Sequence, residues 1–96
     1  MNDEQKLVCS LIHSHYGANM QLVVLQEECA ELIQAVSKIQ RYGISHDTYD
    51  NFVEELADVS IMIQQMKSWL HNDLTGEIEA KLQRQKERIA NERHSE

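Results

Sequence analysis

The chain has 96 residues, enough for one domain with a modest core. Nine Lys and Arg stand against sixteen Asp and Glu, a formal net charge of −7, which excludes a nucleic-acid polymer or an anionic membrane surface as a direct partner. An acidic protein can still bind an anionic ligand where metal ions bridge the two.

Proline is absent, and the three glycines, Gly17, Gly43 and Gly76, fall where helical periodicity lapses. The segments between them are rich in Glu, Gln, Leu, Lys and Ala, which form helices readily. No stretch alternates with period two, so the spacing predicts four helices and no sheet. The first spans about residues 3–15, with Leu7, Leu11 and Ile12 on its apolar side. A loop over 16–19 follows, with Asn19 as N-cap.

The second helix is predicted over about 20–42 and ends at Gly43. Leu22, Leu25, Cys29, Leu32, Val36 and Ile39 recur at steps of three and four, a heptad-like seam. The third runs over about 47–71, with Phe52, Leu56, Val59, Ile63, Met66 and Leu70 as its seam. Val53, Ala57 and Ile61 add a second apolar face, as expected of a helix held between two neighbours. A turn over 72–76 leads to a fourth helix over about 77–91, carrying Ile78, Leu82 and Ile89, with a frayed tail after it. The fold class is therefore all-α: a single-domain four-helix bundle with a central antiparallel pair formed by helices two and three. Cys9 and Cys29 read as buried, reduced thiols, and the five histidines, which show no ligand spacing, as surface residues. No apolar run reaches membrane-spanning length and no signal peptide opens the sequence, so a cytoplasmic location is expected.

Acidic residues on the two central helices have a pattern of their own. Glu28 and Glu31 are three apart and share a face, as do Glu55 and Asp58. Each pair lies one residue out of phase with its apolar seam. On helix two the stripe is Gln21, Val24, Glu28, Glu31, Ala35 and Lys38; on helix three it is Asn51, Glu55, Asp58, Met62 and Gln65. One such pair is ordinary on a solvated helix. Two pairs on consecutive long helices, both bordering the core, would converge in an antiparallel hairpin. Four carboxylates in low dielectric repel one another, and a hard divalent cation with oxygen ligands neutralises them.

Glu27-Glu28-x-x-Glu31, then 23 residues, then Glu55-x-x-Asp58 resembles the E-E-x-x-E … E-x-x-D motif of the MazG family, within the all-α nucleoside triphosphate pyrophosphatases. The likeness covers about residues 21–88. It implies hydrolysis of a nucleoside triphosphate between its α and β phosphates, giving a monophosphate and pyrophosphate. Carried over by position, Glu28, Glu31, Glu55 and Asp58 would hold Mg2+, with Mn2+ able to substitute, and Glu27 would take an outer or additional-ion role. Which carboxylate accepts the water's proton stays open, as do the preferred base and sugar. The resemblance also implies a homodimer or homotetramer, with the nucleotide near a subunit interface.

Basic groups are needed beside a triphosphate. Lys38 lies on the carboxylate stripe, and Lys81, Arg84 and Arg88 form one stripe on helix four. These four are candidate phosphate contacts, the family likeness favouring Lys81 and Arg84. Gln21 and Asn51 are candidates to read base or sugar, and Trp69 to stack on a base, although a packing role suits each as well. Two other readings compete. A phosphoribosyl-ATP pyrophosphatase of the same fold usually has a Lys shortly before the Glu pair, where Val23 and Val24 stand here. A non-enzymatic helical interaction module would leave the carboxylates as solvated surface. A di-iron bundle wants Glu-x-x-His pairs, and positions 31 and 58 are Glu and Asp.

Overall fold

A computed structural model describes residues 1–70 and 74–95, and among them the chain is all-helical. The helices are α1 (Asp3–Tyr16), α2 (Ala18–Tyr42), α3 (His46–Trp69) and α4 (Thr75–Ser95).

Local chemistry sets each boundary. Asn2 opens α1 with a reciprocal capping box: its side chain accepts from the Gln5 backbone N–H while Gln5 accepts from the Asn2 backbone N–H. Ser45 and Thr48 do the same for α3, and the Thr48 hydroxyl also donates to the Gly43 carbonyl at 3.0 Å. Gly17 (φ 88°) and Gly43 (φ 81°) take up the left-handed backbone that ends α1 and α2, donating their N–H groups to His13 and Ile39 carbonyls.

Several predicted boundaries shift. The expected four-residue loop before α2 is the single residue Gly17, so Asn19 lies inside the helix and is not its cap. One positive-φ residue suffices to turn the chain, and the Gln21 N–H bonds back to the Gly17 carbonyl. Gly76 lies in the first turn of α4, not ahead of it, and the expected frayed tail is helical as far as Ser95, where Arg93 and His94 suit the negative end of the helix dipole. The expected end of α3 at His71 and the start of the following turn fall on residues 71–73, outside the described ones.

The packing differs more. α2 and α3 pair most extensively, and α1 lies against α3 and, less closely, α2. α4 approaches none of the three, and its side chains from Thr75 to His94 are all exposed. Nor is the apolar seam the inner face. Leu22, Val36, Leu56 and Ile63 of the seams are exposed, while Gln21, Ala35, Met62 and Gln65 of the carboxylate stripes are buried. Helices α2 and α3 therefore meet along those stripes, where Ala35, 0% exposed, lets the backbones approach. Of the seam residues only Val59 is buried. Cys9 is buried as expected, Cys29 is half-buried, and both are free thiols. His13 is not a surface residue: its ring packs on Trp69 at 5.5 Å between centroids, and both its ring nitrogens are enclosed. No described helix is long and apolar enough to cross a membrane.

Candidate metal centre

The inner face of α2 and α3 brings Glu28, Glu31, Glu55 and Asp58 together. One carboxylate oxygen from each lies within 4.8 Å of the others. Three-residue spacing puts each pair on one helix face, and the stripe-to-stripe packing turns the two pairs toward one another. Glu28 and Glu55 are half-buried, whereas Glu31 and Asp58 are exposed. The cluster thus has an inner half within the helix interface and an outer half open to water.

Its electrostatics are unfavourable as they stand. Desolvation raises the Glu28 carboxyl above its ordinary pKa, and Asp58 and Glu31 beside it push the same way. Glu55 is raised by desolvation first and then by Glu31 and Asp58. Glu28 Oε2 and Glu55 Oε2 are closed off from solvent without a hydrogen-bond partner among the described residues. Such orphaned acceptors need a proton or a cation.

The donor set suits a divalent ion that prefers oxygen. Opposed ligands on magnesium lie about 4.2 Å apart, twice its ~2.1 Å bond, and on calcium about 5 Å apart. A spread within 4.8 Å is compatible with closure on one hard cation. The four acidic residues predicted as metal ligands are thus the ones the structure assembles.

Other predicted site residues are less closely associated. Glu27 is exposed, turned away from the inner face that holds Glu28. Gln21 is buried near the start of α2, 4% exposed, in the helix interface and not on an open surface. Lys38 is exposed near the other end of α2. Lys81, Arg84 and Arg88 are exposed on α4, away from the cluster of their own chain. Asn51 is half-buried, and Trp69 lies against His13. Gln65 shares the carboxylate stripe but drew no role from its sequence position. It is 1% exposed, its amide nitrogen reaches the Met62 sulfur at 3.5 Å, and its Oε1 has no hydrogen-bond partner among the described residues. Its place in the 3-4 spacing was the one signal available. An open apolar groove of about 660 Å³ lies elsewhere, between the first half of α1 and Ala57, Ser60 and Ile61 of α3, and includes none of the four carboxylates.

No family model, curated protein or solved structure matches this chain.

Proposed function

We propose that this protein is a magnesium-dependent nucleotide pyrophosphohydrolase. It would add one water across the anhydride bond between the α and β phosphates of a nucleoside triphosphate, yielding a monophosphate and pyrophosphate. The observation behind this is the four-carboxylate cluster with two orphaned oxygens on an inner helix face. A solvated acidic surface has no reason to bury unpaired acceptors at a helix interface. The likeness of the two motifs to the MazG family supports the same reading.

Glu28, Glu31, Glu55 and Asp58 would hold the ion. Bound magnesium would neutralise phosphate charge and lower the pKa of water at the site. Glu28 and Glu55 would release whatever proton they hold when the ion enters. Glu31 and Asp58, on the solvent side, would meet the incoming polyphosphate. Lys38 and the basic stripe of α4 would balance the phosphate charge left over.

The hairpin is antiparallel in this reading. The convergence of Glu28 and Glu31 with Glu55 and Asp58 supports that reading, since an antiparallel hairpin would bring the two pairs together near mid-length. The exposed seams of α2 and α3 are the surfaces on which a homodimer or homotetramer would form.

The test is a panel of ribo- and deoxyribonucleoside triphosphates, with phosphoribosyl-ATP alongside, assayed for pyrophosphate release with magnesium. Glu55→Gln should lower turnover on the order of 10²–10³-fold. Undiminished turnover in that variant would refute the role of Glu55. A chain that releases no pyrophosphate and whose melting temperature ignores magnesium is a helical interaction module instead.

A further inference from the structure

We draw no further inference here: the strongest candidate, the open apolar groove between the first half of α1 and Ala57, Ser60 and Ile61 of α3, carries nothing because no feature of the structure shows what covers it.

Discussion

Glu28 and Glu55 are the residues with most at stake. Both sit half-buried in a helix interface with a second and third carboxylate alongside, and each has an oxygen without a hydrogen-bond partner among the described residues. Their raised pKa values give the metal-free protein a pH dependence of definite sign. A carboxyl raised in the folded state stabilises it below the ordinary value, 4.5 for these groups, and that contribution is lost as pH climbs through the raised value. In EDTA the melting temperature should therefore fall as pH rises from about 4.5 towards neutrality. Saturating magnesium should reverse the trend, because the ion competes with protons for the same oxygens. Thermal melts at several pH values, with EDTA and with magnesium, check both halves. A metal-free melting temperature flat across that range would mean that the four carboxyls do not feel one another. Glu28→Gln should make the metal-free melts less pH-dependent and abolish most of the magnesium shift.

The contact of α2 with α3 brings these residues together, and here the sequence was informative only up to a point. Glycine placement and 3-4 periodicity located four helices to within a few residues, because helix formation is a local matter. The acidic pairs were legible for the same reason: three-residue spacing determines a shared face. What the pattern did not reveal is which face meets its neighbour within one chain. Leu22, Leu25, Leu32, Val36, Leu56 and Ile63 read as the inside of a bundle. The structure instead buries Gln21, Ala35, Met62 and Gln65 and leaves Leu22, Val36, Leu56 and Ile63 exposed. An apolar seam records that a side chain will be covered, not whether the cover comes from the same chain. Ala35 was the overlooked clue: a small side chain on the stripe that carries Gln21, Glu28, Glu31 and Lys38 leaves room for close backbone approach. Ala35→Leu should cost about 1–3 kcal/mol by overpacking. It should also splay the carboxylates and weaken magnesium binding, read by calorimetric titration. Full magnesium affinity in a folded Ala35→Leu protein would separate the metal centre from the helix spacing.

For the molecule as a whole, covered and uncovered surface decide its behaviour. Among the described residues only Cys9, Ala35, Val59 and Met62 are buried apolar side chains, a small core for 96 residues. A chain of that size cannot offset its conformational entropy from so little burial, since small domains are marginal even with full cores. Folding and assembly should therefore be one coupled process, and stability should depend on protein concentration. The size of the effect follows from general values. Tenfold dilution removes about 1.4 kcal/mol per dimer, or about 0.7 kcal/mol per chain. With an unfolding entropy of about 2.1 cal/mol/K per residue, the melting temperature should drop roughly 3–4 °C for each tenfold dilution. Differential scanning fluorimetry or calorimetry over two decades of concentration reads this directly. Leu82→Glu sets a charge in the apolar stripe of α4 without touching any neighbour in its own chain. In an isolated monomer that change would be nearly silent, as surface substitutions are. If α4 lies against a second copy, it should lower the melting temperature and shift sedimentation towards one chain. A melting temperature independent of concentration, together with a silent Leu82→Glu, would require the exposed seams to be covered by something other than this chain.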